Sequence, residues 1–240
     1  MNRDELPPPL PPETRTIGQL IAETIRFYQA HFWRVLPLGV AITALNQVPV
    51  GTVSRRLALL AASPYLTLTY VAAVTLLLGV RPTRRSTLVA LVTGVIVFFP
   101  AAVVAGWFDL LGVAWLAFAG FVVPVAIVER TAFRETFVRA RRLSTVDFVH
   151  ALGGLASLVI CYGLVRLALV VLLRSQGDQA ERVAGGLADL LLSPMLFVGA
   201  ALLYVDQRAR LDLRDAALHP PVDALDPGRP DPEGEPRPAA

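Results

Sequence analysis

Two charged residues stand inside stretches that are otherwise apolar: Arg166 within residues 149–173 and Asp189 within residues 183–205. Arg166 lies eight positions before Arg174, and Asp189 seven after Arg182. At 1.5 Å per helical residue, both then sit about 10–12 Å inside the same end of their stretches. A charge left alone in hydrocarbon costs at least ~2.5–3.5 kcal/mol, so two opposite charges at one depth are expected to pair. The short polar turn 174–182 makes an antiparallel hairpin of the two stretches and lets them meet. In one reading the pair serves an ion- or proton-linked site. In the plainer readings it is a structural ion pair, or Arg166 reaches outward to the headgroups while Asp189 sits in the interface.

Other chemistry is sparse. His31, His150 and His219 lack metal-ligand spacing. The chain has no HExxH, GxSxG or Walker A pattern and no constellation that points to a nucleophile. The single cysteine, Cys161, excludes an intramolecular disulfide and a cysteine-based zinc site, and its apolar surroundings predict a small buried hydrophobe. No catalytic, metal or cofactor residue is assigned, and a membrane enzyme ranks last among the functions considered. The other charged group of interest is basic. Arg26, Arg34, Arg134, Arg139, Arg141 and Arg142 flank apolar runs, where they suit anionic lipid headgroups rather than nucleic acid.

The elements that carry these residues follow from composition. The 240 residues are 55% hydrophobic and 17% charged, with a mean hydropathy of +0.57. A soluble domain is nearer a quarter charged. Apolar runs of about 20 residues cross ~30 Å of hydrocarbon as helices. Six are expected, at 35–53, 57–80, 87–107, 110–128, 149–173 and 183–205, in an all-α polytopic transmembrane bundle. The first is the weakest, being interrupted by Asn46 and Gln47 and followed by Pro49. Pro64, Pro100, Pro124 and Pro194 fall within others, where proline can free carbonyls toward a cavity. The opening of the sixth, 183–189, is poorly hydrophobic and suits either the span or the surface.

Two polar stretches have helical periodicity. In 16–33, Ile17, Ile21, Ile25, Tyr28 and Phe32 share a face, and Thr16 with Gln19 forms a capping box. In 131–144, Phe133, Phe137 and Ala140 oppose Glu135, Arg139 and Arg142, with Glu135 and Arg139 spaced to pair. Both are predicted to lie in the cytoplasmic interface. Residues 16–214 form the membrane domain. The leader 1–15 and the acidic tail 215–240 are proline-rich and predicted disordered, and the leader lacks the apolar core of a cleavable signal peptide.

Arginine sets the orientation. One side holds Arg15, Arg26 and Arg34, then Arg81, Arg84 and Arg85, then Arg130, Arg134, Arg139, Arg141 and Arg142, and finally Arg208, Arg210 and Arg214. The other holds only Arg55, Arg56, Arg174 and Arg182. The positive-inside rule places both termini in the cytoplasm. There is also an internal echo. The segment IRFYQAHFWRVLPLGV from Ile25 aligns without gaps to RRLSTVDFVHALGGLA from Arg141, setting Arg26 against Arg142, Phe32 against Phe148, Arg34 against His150 and Leu36 against Leu152. Each copy leads into a span of the same direction, the geometry of a parallel repeat. Duplication and the shared composition of helix-to-span junctions both account for it.

Four segments occur in a recognisable order: TIGQLIAETIRFYQAHFWRVLPL, LGVRPTRRSTLVAL, VVPVAIVERTAFRETFVRARRLSTVDF and LLYVDQRAR. With the proline before Glu129, the paired arginines ahead of Phe148, and Tyr204, Asp206 and Arg208 ending the last span, residues 16–213 resemble a family of bacterial six-helix membrane proteins. That family is related to the membrane domain found beside glycerophosphoryl diester phosphodiesterases. The resemblance implies a bacterial cytoplasmic-membrane module tied to lipid or envelope metabolism and, without a phosphodiesterase domain, no hydrolase activity. Two functions follow: a non-enzymatic scaffold or accessory in lipid or envelope processes, or a small permease using Arg166 and Asp189. The expected partners are the bilayer and its anionic headgroups, with no nucleic acid; a protein partner is unspecified.

Overall fold

A computed structural model describes residues 11–47, 55–105, 109–174 and 177–218. Outside them fall most of the leader, the end of the first expected span, Trp107, His219 and nearly all of the acidic tail. Among the described residues every regular element is helical: α1 (Ile17–Ala30), α2 (Phe32–Val35), α3 (Val40–Gln47), α4 (Arg55–Leu78), α5 (Arg84–Ala105), α6 (Asp109–Ala119), α7 (Val122–Pro124), α8 (Phe133–Val146), α9 (Phe148–Leu173) and α10 (Asp178–Leu218). Short 3-10 turns cover Pro12–Thr14 and Leu36–Gly39, and a π turn covers Val125–Glu129.

Five helical stretches are long and apolar enough to cross a bilayer: Ala61–Leu78, Arg84–Ala101, Leu110–Glu129, Phe148–Leu173 and Gln179–Leu218. Such helices mark a membrane protein. Their packing agrees, since only five of the 26 residues of α9 are buried inside the protein. Ile160, Leu164, Leu167, Val171 and Leu172 of α9 all face outward. In water that apolar face would be a large liability, whereas lipid accepts it. Cys161 lies on this outward surface and is exposed, contrary to the buried position expected of it. A helix that is apolar all round can turn a cysteine to lipid as readily as to a neighbour. Inside the bundle, the buried hydroxyls of Thr24, Thr67 and Thr93 donate to carbonyls of their own helices, so they need no partner across a lipid-filled gap.

The first expected span has a different form. Instead of one long helix, residues 32–47 make α2, the 3-10 turn and α3, and they are not among the five long helices. Pro37 lies within the 3-10 turn, and Gly39 at its end is buried. Backbone meets backbone there: a Cβ on Gly39 would collide with the Leu190 carbonyl. Beyond it, Thr43 and Gln47 border Gly186, and Gln47 donates to the Arg182 carbonyl at 3.0 Å. The segment therefore runs antiparallel to α10.

The last helix is longer than expected. α10 is continuous over 41 residues and includes 183–189 as well as Asp215. At 1.5 Å per residue it is about 61 Å long, twice the hydrocarbon thickness. Two breaks isolate α8. Before it, Arg130 takes a left-handed conformation (φ 54°), and after it Asp147 leaves helical geometry (φ −147°) while capping α9 through the His150 amide. α8 is thus neither an extension of the helix before it nor of the one after it.

Candidate functional site

The structure brings Arg166 and Asp189 together. Arg166 Nε donates to Asp189 Oδ1 at 2.8 Å. Two further donors converge: Tyr162 OH on Oδ1 at 2.6 Å and Asn46 Nδ2 on Oδ2 at 2.9 Å. Asp189 has no solvent exposure, whereas the Arg166 side chain is 38% exposed. α9 supplies Tyr162 and Arg166 one turn apart, α10 supplies the acid, and α3 supplies Asn46 from across the bundle. Three donors thus satisfy both oxygens of a carboxylate that is cut off from water. Tyr162 was open to discovery, being four residues before Arg166 in α9. In the sequence Asn46 reads only as an interruption of a span.

Beside this cluster lies a polar pocket of about 310 Å³ lined by Asn46, Gln47, Arg166, Val170, Glu181, Arg182 and Gly185. A second cavity, of about 340 Å³, is apolar. Ile42, Tyr70, Phe98, Leu116, Leu155 and Phe197 are among its walls. Ile42 and Asn46, one turn apart on α3, belong to the two cavities respectively.

A second buried cluster sits at the other end of α10. Asp206 has no exposure and accepts from Arg15 Nη1 at 2.5 Å. Its Oδ2 faces His150 Nε2 at 3.8 Å, and neither atom has a hydrogen-bond partner among the described residues. Arg210 joins three chain segments: Nη1 donates to Asp147 at 2.5 Å, and Nη2 to the Arg15 carbonyl at 2.9 Å, with His150 Nδ1 3.4 Å away. Arg15, expected to close a solvated leader, is instead 8% exposed. Two residues before Asp206 on α10 stands Tyr204, whose OH donates to Glu129 at 3.1 Å; Glu129 also accepts from Arg139 Nε at 2.8 Å. Arg139 thus pairs with Glu129 rather than with Glu135. The half-buried Glu129 offers a better-desolvated partner than an exposed neighbour on the same helix.

The remaining expected lipid-contact arginines stay at the surface. Arg26, Arg34, Arg134, Arg141 and Arg142 are exposed. Arg26 pairs with Glu23, and Arg142 with Asp215. Among the described residues no three His, Cys, Asp or Glu side chains gather to hold a metal ion. No family model matches this chain, and no curated protein or solved structure matches it.

Proposed function

We propose that this chain is a six-crossing module of a bacterial cytoplasmic membrane, both termini inside, that serves lipid or envelope processes by holding a lipid rather than by catalysis. The observation that carries this reading is the pair of cavities on α3, one apolar among Tyr70, Phe98 and Phe197 and one polar around Arg166. An amphiphile has the same two-part character. Each volume falls at the lower end of the ~300–1,000 Å³ usual for ligand sites. The resemblance to membrane domains found beside glycerophosphoryl diester phosphodiesterases supports it, as do the exposed arginines of α1 and α8, which suit anionic headgroups.

The test is the lipid retained by the full chain purified in uncharged detergent, measured by mass spectrometry. Wild type is expected to retain lipid near one per protein. Ala200→Trp, which fills the apolar cavity, is expected to lose it while its helical circular dichroism is kept. Equal lipid content in the two proteins overturns the reading. A permease is the second reading, favoured by the buried Asp189 beside a polar pocket and by the first segment breaking at Leu36–Gly39, a trait of transport sites. Solute flux in liposomes that disappears in Asp189→Asn would select it.

A further inference from the structure

We infer that the polar pocket seats a zwitterionic phosphate ester, a phosphate carrying an amine, with Arg166 and Arg182 on the phosphate and Glu181 on the amine. The inference rests on the lipid-holding reading above and specifies the chemistry of the polar end. Arg166 spends only Nε on Asp189, and its Nη1 and Nη2 have no hydrogen-bond partner among the described residues. Nη2 lies beside Gly185, another wall of the pocket. A guanidinium fixed from behind by a carboxylate and open in front is prepared for an oxyanion, whose two oxygens match its fork.

Arg182 and Glu181 also line the pocket, and neither side chain has an ion pair among the described residues. The pocket and the acid behind it thus hold two cations and two carboxylates. A net anion would meet no net attraction there, whereas a ligand with both signs can satisfy both walls. These arginines also stand at the arginine-poor end of the bundle, so the sidedness that explains the other basic residues does not explain them. The adjoining α3 residue Ile42 leads to the apolar cavity, which would take the hydrocarbon part of a lipid ligand.

The experiment uses the full chain in uncharged detergent, titrated calorimetrically with four probes: dihexanoyl phosphatidylethanolamine, dihexanoyl phosphatidylglycerol, soluble phosphoethanolamine and inorganic phosphate. Wild type is expected to bind the phosphatidylethanolamine at least tenfold more tightly than the phosphatidylglycerol. Arg182→Gln should weaken the first by tenfold or more. Glu181→Gln should bring the ratio between the two lipids close to one. Neither side chain has an ion pair among the described residues, so unchanged melting is expected and separates binding from folding. Soluble phosphoethanolamine binding as tightly as the lipid identifies a soluble ester, and weaker binding identifies a headgroup; either upholds the pocket chemistry. Equal affinity of wild type for both lipids, or wild-type behaviour of both variants, overturns it. If wild type still retains lipid in that case, only the headgroup assignment fails; if it retains none, the lipid-holding reading fails as well.

Discussion

Asp206 shows what a single side chain contributes here. Its carboxylate is fully buried, with Arg15 on one oxygen and His150 opposite the other. Removing one member of a buried pair leaves an uncompensated charge, which costs about 3–5 kcal/mol. Arg15→Ala is therefore expected to lower unfolding stability in detergent by that amount. The double change Arg15→Met with Asp206→Leu should recover most of the loss. Asp215→Asn, which breaks the exposed Arg142 pair, should shift stability by no more than about 1 kcal/mol. A double change as unstable as Arg15→Ala would show that the pair acts through something other than stranded charge. The two clusters differ in how far the sequence reveals them. Arg166 and Asp189 are legible because each is a lone charge in an apolar run and a short turn brings the runs together. Asp206 sits among Arg208, Arg210 and Arg214, so it reads as the end of a span, and Arg15 follows prolines that read as solvated. Only the fold shows that buried positions continue past Val205 through Asp206, Gln207 and Leu211.

The elements themselves carry a regularity. α1 covers Ile17–Ala30 and α8 covers Phe133–Val146, so both ends are offset by 116 residues. The next helices begin at Phe32 and Phe148 with the same offset, after breaks at His31 and Asp147. Buried positions follow: Leu20 with Thr136, Thr24 with Ala140, and Val35 with Ala151. Shared junction composition explains a few matched residues. Helix starts and breaks coincide in register, but the buried faces match only in part: Leu143, Ser144 and His150 are buried where Phe27, Tyr28 and Arg34 are not, so duplication and shared junction composition both account for the echo. The copies then diverge. α9 continues for 26 residues, whereas its counterpart breaks at Leu36–Gly39. Periodicity and the Thr16–Gln19 capping box made α1 legible, and the box is formed in the structure. The break was not legible, because it depends on Gly39 packing against the Leu190 backbone from far along the chain. Gly39→Val is accordingly expected to push the first segment off α10. A loss of about 1–3 kcal/mol is the usual scale of overpacking, and a backbone contact places this site at its upper end. Gly18→Ala, with open space around it, should change stability by less than 1 kcal/mol. Equal melting temperatures for the two variants would refute the packing argument.

At the scale of the whole molecule, the contacts decide which segments share an end. Arg15 bonds to Asp206, Asp147 to Arg210, and Arg142 to Asp215. Arg130 reaches the Arg81 carbonyl at 3.5 Å. These ties gather the start of the described chain, the α4–α5 connection, both flanks of α8 and the far part of α10. Gln47 meets Arg182 at the opposite end. Between Arg15 and Gln47 the chain thus travels the length of α10 from Asp206 to Arg182, about 36 Å at 1.5 Å per residue, which exceeds the hydrocarbon thickness. If the broken segment also crosses, it and the five long helices would give the even number of crossings that the arginine asymmetry predicts. The prediction is concrete. In a Cys161→Ala background, Gly18→Cys and Asp212→Cys, both at exposed positions, should react with a membrane-impermeant maleimide only after cells are permeabilised, and Gln179→Cys should react in intact cells. A reporter joined after Arg214 should read cytoplasmic. Labelling of Gly18→Cys and Asp212→Cys from opposite sides would mean that the first segment does not cross. That outcome would also separate Arg15 from Asp206, which the buried bond between them forbids.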